Sequence, residues 1–197
     1  MTTGARAAAA CVMTIALAAT GALRAESEWG VEDLMRSLKS VESSRARYFE
    51  RKELAILNAP LESFGTLVYR APGRLEKHTL SPEREKLILD NGRLMFENVE
   101  RGWHKSFTLR EHPVIWAFVE SIRSTLAGDL PTLKRFYRVE LEGDESSWWL
   151  RLQPREPEMK AVIDEIRISG SETWINRIET LEAGGDRTVM KIEREAS

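Results

Sequence analysis

Phe64-Gly65-Thr66-Leu67-Val68-Tyr69-Arg70-Ala71-Pro72-Gly73-Arg74-Leu75-Glu76-Lys77-His78-Thr79-Leu80-Ser81-Pro82, continued by Lys86-Leu87-Ile88-Leu89-Asp90-Asn91-Gly92-Arg93-Leu94-Met95-Phe96-Glu97-Asn98, is the stretch on which the rest of the chain turns. Four short β-type runs are separated by Ala71-Pro72-Gly73, Ser81-Pro82 and Asp90-Asn91-Gly92. An Asn-Gly pair between apolar runs is a strong hairpin signal, because a two-residue type I′ turn needs φ > 0 at both central positions. The block predicts a meander of antiparallel strands. A curved sheet of this kind has one face that something must cover.

Upstream, Val31, Leu34, Leu38 and Val41 recur at helical intervals among Glu32, Asp33, Arg36, Lys39 and Ser40, which predicts an amphipathic helix of about four turns. Arg45 to Leu57 turns β-like and is set to pair with Glu62 to Arg70 across Asn58-Ala59-Pro60. Downstream, Gly102 to Phe107 reads as a further strand. Pro113 suits the first turn of a helix and Gly128 its C-terminal cap. Between them Val114 to Val119 is an apolar run that wraps the helix, and Ile122 and Leu126 extend its stripe. Such a helix is either deeply buried or faces both a sheet and a hydrophobic ligand space. Asp129-Leu130-Pro131 starts a short helical turn through Lys134. Strand patterns return at Phe136–Leu141, Ser147–Gln153, Val162–Ile168, Trp174–Leu181 and Arg187–Ile192. The whole is an α+β fold: an open antiparallel β half-barrel of about 10–11 strands, its concave apolar face lidded by two or three helices.

The first 25 residues read as a secretory signal rather than as part of the fold: Arg6, the apolar run Ala7 to Ala19, and a small-residue exit with cleavage after Ala22 or Ala25. An uncleaved membrane anchor is the alternative. Cys11 lies too near the start to be a lipidated first residue. Residues 26–197 then form one domain without a cysteine, so no disulfide or thiolate chemistry is available to it. The 29 basic residues fall to 27 without Arg6 and Arg24, against 31 acidic, a net charge of −4 that argues against nucleic acid as a main partner.

Catalytic signals are absent. His78, His104 and His112 lack partners at metal-ligand spacing, Gly184-Gly185 lacks the Lys of a phosphate loop, and there is no Gly-x-Ser-x-Gly elbow. No catalytic residue, metal or cofactor is expected, and the chain reads as no enzyme. The positive signal is aromatic: Trp103, Trp116, Phe118, Trp148, Trp149 and Trp174 fill the core or line an apolar cavity between sheet and helix. Such walls suit acyl chains, which gain about 0.8 kcal/mol per buried CH₂ without directional recognition.

The chain resembles the LolA family of periplasmic lipoprotein carriers over nearly all of residues 26–197. The resemblance is carried by Ala46-Arg47-Tyr48-Phe49 after the first helix, by Gly65 to Leu75 (a glycine, an apolar strand, a basic-Pro corner and another strand) and by the Leu87 to Phe96 hairpin. It implies a half-barrel carrier in the periplasm. Such a carrier shelters the acyl chains of a lipoprotein or another lipid and shuttles it from a transient inner-membrane donor to an outer-membrane acceptor, as a monomer. The alternative is a lipid-sensing periplasmic scaffold that regulates a protein partner. In these carriers the residue before the proline is an arginine that helps hold the lid closed. Here it is Ala71, and Arg70 and Arg74 flank it as candidate lid contacts. Alternation and helix face place Leu67, Tyr69, Leu75, Leu94, Phe96, Ile115, Phe118, Trp148 and Leu150 as the cavity lining.

Overall fold

A computed structural model describes residues 29–98 and 100–195. The expected signal segment lies outside these residues. Eleven strands form one antiparallel sheet. The first meander is β1 (Ser43–Glu53), β2 (Leu61–Arg70), β3 (Arg74–Ser81), β4 (Glu85–Asp90), β5 (Arg93–Asn98) and β6 (Trp103–Thr108). The second is β7 (Tyr137–Asp144), β8 (Ser147–Pro154), β9 (Ile163–Ser171), β10 (Trp174–Glu182) and β11 (Arg187–Arg194). Their order is β6-β5-β4-β3-β2-β1-β11-β10-β9-β8-β7. Every neighbouring pair is consecutive in sequence except β1 and β11, which zip the two meanders into one sheet, Ala46 opposite Arg194 and Glu53 opposite Arg187. The sheet does not close. Its free edges, β6 and β7, are joined by residues 109–136, and this segment carries the helices that cross the open side.

The turn chemistry is as the sequence dictates. Asn91 and Gly92 both take positive φ, 47° and 74°, and Asp90 pairs with Arg93 across the two-residue turn. Four helices are present among the described residues: α1 (Val31–Lys39), α2 (Pro113–Leu126), α3 (Leu130–Phe136) and the single turn α4 (Pro157–Lys160). A 3-10 turn, Leu109–Glu111, precedes α2. That is one helix more than the two or three expected, because Pro157 opens a turn where the sequence shows only a Pro-bounded break. α1 is also shorter than the expected four turns. Ser40 N–H bonds to Ser37 O and Val41 N–H to Leu38 O, a tightening that ends the helix and releases Val41 from its stripe.

Alternation along the strands sorts the two faces. On β9 and β10, Ile166, Ile168 and Ile178 point into the concave side. Glu165 and Glu179 point out, where Arg151, Arg167, Arg177 and Arg187 pair with them. The concave side holds two apolar clusters. The larger joins β7–β11 to α1, α3 and α4 through Leu34, Leu38, Leu133, Leu150, Met159 and Ile166. The smaller is Leu89, Leu94 and Leu109, with Leu75, Leu87 and Trp116 packed around it.

Gly128 decides how the helices meet. It takes φ +61° after α2, and a Cβ there would lie 2.1 Å from Met35 O and 2.8 Å from Lys39 Cβ. Only a glycine can make the left-handed cap and let the C-terminal end of α1 come this close.

Candidate ligand cavity

The two clusters do not merge. Between them lies a cavity of about 610 Å³, within the range of ordinary small-molecule sites. Leu67, Tyr69, Leu75, Leu87, Leu89 and Leu94 form its wall on β2–β5. Ile175, Ile178, Met190 and Ile192 form the wall on β10–β11, and Leu38 and Val41 reach it from the end of α1. α2 supplies Phe118, Val119, Ile122 and Leu126.

α2 is apolar on the cavity side and polar where it is most buried. Ser121, Ser124 and Thr125 are wholly covered and Glu120 nearly so, while Phe118 retains 37% of its exposure. The hydroxyls are satisfied within the helix: Ser121 Oγ donates to Phe118 O and Thr125 Oγ1 to Ser121 O, both at 2.6 Å. From β7, Tyr137 OH donates to Ala117 O at 2.9 Å, and burial pushes its hydroxyl well above the ordinary value. Small hydroxylated residues thus let α3 and β7 pack closely behind α2. Of its apolar side chains, Phe118, Val119, Ile122 and Leu126 line the cavity, Val119 also packing on the smaller cluster and Ile122 and Leu126 on the larger.

A polar network on α2, the Arg123 latch, extends to Asp129 at the start of α3 and sets the stem of Arg123 against the sheet. Glu120 accepts from Trp116 Nε1 at 3.2 Å, Ser124 Oγ at 2.8 Å and Arg123, whose Nη2 lies 2.6 Å away. Arg123 also reaches Asp129 at 3.4 Å. Its stem lies on the β2–β3 corner, where a Cβ on Gly73 would fall 3.0 Å from Arg123 Cδ. Burial disfavours the Arg123 charge, but Glu120 and Asp129 outweigh it and hold the guanidinium above its ordinary pKa. Burial likewise raises Tyr69 beside it, with Arg123 offsetting part of the rise.

The structure separates the residues named from sequence. Leu67, Tyr69, Leu75, Leu94 and Phe118 come together on the cavity wall. Trp148 and Leu150 share the concave face, in register with Gly170 and Ile168, but are wholly enclosed by the larger cluster. Trp148 packs edge-on over Gly170 and donates from Nε1 to Glu172 O at 3.0 Å, so it is core rather than lining. Phe96 is beyond the cavity, stacked on Phe107 with ring centroids 6.1 Å apart. Ile115 sits on the exposed flank of α2, at 39% of its free exposure. Neither flanking arginine grips the lid: Arg70 is exposed, and Arg74 bonds to Glu76 at 2.9 Å and Asp90 at 2.5 Å on the strands. The latch runs the other way, from a helix arginine to a corner glycine. Its sequence signals are the Glu120–Arg123 spacing and the small residue in the Ala71-Pro72-Gly73 turn. Val119, Ile122, Leu126, Ile178 and Met190 were also absent from the expected lining.

Among the described residues no group of His, Cys, Asp and Glu is arranged to hold a metal ion, and no helix is long and apolar enough to cross a membrane.

The family described as outer membrane lipoprotein carrier protein LolA-like matches residues 22–193. No curated protein sequence matches the chain. Among solved structures, the chain is similar to a LolA superfamily protein from Nitrosomonas europaea. Identity is 8%, with 85% of this chain and 93% of that one covered and a TM-score of 0.45. It is also similar to a chain in the complex of the CwlD amidase from Clostridioides difficile with the GerS lipoprotein (8%, 78% and 85%, 0.39). LprF from Mycobacterium bovis is a third (8%, 83% and 91%, 0.34).

Proposed function

Because the chain belongs to the outer membrane lipoprotein carrier LolA-like family, we propose that it shelters acyl chains in the cavity between α2 and the sheet. It shuttles a lipoprotein or another lipid through the periplasm, from an inner-membrane donor to an outer-membrane acceptor. The observation that carries this reading is the orientation of α2. Phe118, Val119, Ile122 and Leu126 line the cavity while Glu120, Ser121 and Ser124 are buried behind them, so α2 presents apolar surface to the cavity as well as packing on the core. Each CH₂ entering this space gains about 0.8 kcal/mol from burial, so a long chain binds without covalent chemistry. Residues 26–197 act as one monomeric domain, delivered by a cleaved signal at 1–25. Transfer proceeds by lid opening toward a tighter acceptor.

The test is native mass spectrometry with lipid extraction on protein purified from the periplasm without detergent. A stoichiometric acylated lipid or lipoprotein is expected. Phe118→Glu places a charge in the apolar wall at a half-exposed position, so the variant folds and comes out empty. A wild-type protein that stays empty when offered such lipids would move the assignment to a scaffold that binds a protein partner.

A further inference from the structure

Among the polar residues that line the largely apolar cavity, Lys77 and Glu50 form a half-buried ion pair on the strands. Lys77 Nζ donates to both carboxylate oxygens of Glu50, at 2.9 and 2.8 Å, and lies 4.8 Å above the ring of Tyr48. The Tyr48 hydroxyl is 2.8 Å from Thr79 Oγ1, and Ser63 Oγ donates to Glu50 at 3.4 Å. Both charged residues line the cavity, with side chains 19% and 24% exposed. Glu50 and Lys77 stand two strands apart, and the residue between them on the concave face of β2 is Gly65, opposite Tyr48. A Cβ on Gly65 would fall 1.9 Å from His78 O. The glycine therefore lets the β3 backbone at His78 and Thr79 come close to β2, beside the residues of the bridge.

As a stabilising device this pair is a poor choice, because desolvating two charges offsets most of their attraction and apolar replacements are often as stable. As a recognition device it suits a dipolar ligand. At the pair itself one anion meets one cation, and the Glu85 carboxylate opposite Thr79 adds a second negative charge that acts on Tyr48, so the site favours a group that presents a cation beside its anion over a lone anion. It is also at the proper end. Arg123 of α2 lies at the Gly73 corner, whereas Glu50 and Thr79 lie toward the opposite ends of β1 and β3. Arg194, the concave-face cation on β11 near the other end, is exposed and stacked at 5.0 Å on Trp174.

We infer that the cargo is a lipid with a zwitterionic headgroup, its ammonium received by Glu50 and its phosphate by Lys77, with the acyl chains running toward α2. This rests on the lipid-sheltering reading.

The experiment offers the protein vesicles of equal dioleoyl phosphatidylethanolamine and dioleoyl phosphatidylglycerol and reads the bound lipid by native mass spectrometry. Wild type is expected to prefer the zwitterion about tenfold, the size of one charge-assisted hydrogen bond. Glu50→Gln leaves Lys77 unopposed and shifts the preference toward phosphatidylglycerol. The double variant Glu50→Leu/Lys77→Met stays folded, as its thermal transition checks, and binds both lipids without preference. Equal binding of both lipids by wild type, or a preference that survives in the double variant, overturns the inference while leaving the carrier reading standing. Failure of every form to take up either lipid overturns the headgroup site, and refusal of an acylated lipoprotein as well overturns the carrier reading.

Discussion

On the β7–β11 half of the sheet, Leu150, Leu152, Ile166 and Ile168 are wholly covered, whereas on the β2–β5 half Leu67, Leu75 and Leu87 remain half-buried against open space. Both halves are antiparallel meanders with the same apolar alternation. The difference lies in what covers them. α1, α3 and α4 press Leu34, Leu38, Leu133 and Met159 onto the first half. The second meets the 3-10 turn and α2, where Leu109, Trp116 and Val119 cover Leu89 and Leu94 but leave Leu67, Leu75 and Leu87 half-buried. A strand pattern thus states which residues face inward, and the helices decide whether inward means core or cavity.

The sharpest way to break this contrast is to truncate one leucine on each side. Leu150→Ala removes a fully enclosed side chain and should lower stability by about 2–5 kcal/mol in urea unfolding, with lipid capture retained in the folded fraction. Leu87→Ala, at a half-buried cavity position, should lower stability by less than about 1 kcal/mol while weakening capture. Equal stability losses would mean that the cavity is packed in solution and that the two halves do not differ.

Gly128→Ala probes the joint between the halves. An alanine at positive φ costs about 1–2 kcal/mol, and here its Cβ also collides with Met35 O. A loss of roughly 2 kcal/mol or more is expected, with α1 amides exchanging hydrogen faster and β8–β9 amides unchanged. Uniform acceleration across the sheet would place α1 in the global core instead.

This contrast also marks how far the sequence alone could be read. Turns are local, so Asn91-Gly92 announced its hairpin and Pro113 and Gly128 bounded α2. Face is local too, and all of Leu67, Tyr69, Leu75, Leu94, Trp148 and Leu150 do point to the concave side. Depth is not local. Trp148 and Leu75 are indistinguishable by alternation, and only the placement of α1 and α3, more than a hundred residues from α1 to β8 along the chain, encloses one and spares the other. The latch was hidden for a similar reason: Arg123 is one basic residue among 29, and its meeting with Gly73 is a tertiary fact.

Arg123→Met tests the latch with a smaller expected effect. The stem still packs on Gly73, but Glu120 loses its cation while keeping Trp116 and Ser124 as donors. The guanidinium is 22% exposed, so solvent screens part of the loss, and about 1–2 kcal/mol is expected. If α2 opens to release cargo, as the proposed function requires, the readout is kinetic: lipid should leave about tenfold faster. An unchanged release rate would separate the latch from the lid.

Acid has the smallest and most directional effect. Burial opposes ionisation of Asp129, yet hydrogen bonds from Thr132 and the charge of Arg123 outweigh it and hold the carboxyl below its ordinary 3.8. A group depressed in the folded state contributes stability that is fully present above its unfolded pKa and is lost as pH falls through the folded one. The contribution of Asp129 is therefore unchanged from about pH 8 to pH 5 and is lost only below about pH 4. Arg123, raised rather than lowered, stays charged throughout this range. Asp129→Asn keeps a side-chain oxygen to cap α3, where Thr132 N–H bonds at 3.1 Å, and should remove the contribution of this group to the acid limb. Lipid release that quickens between about pH 7 and pH 5 would assign the lid to a group that titrates near neutrality. A flat profile there keeps α2 under the Arg123 latch rather than under a group that titrates near neutrality.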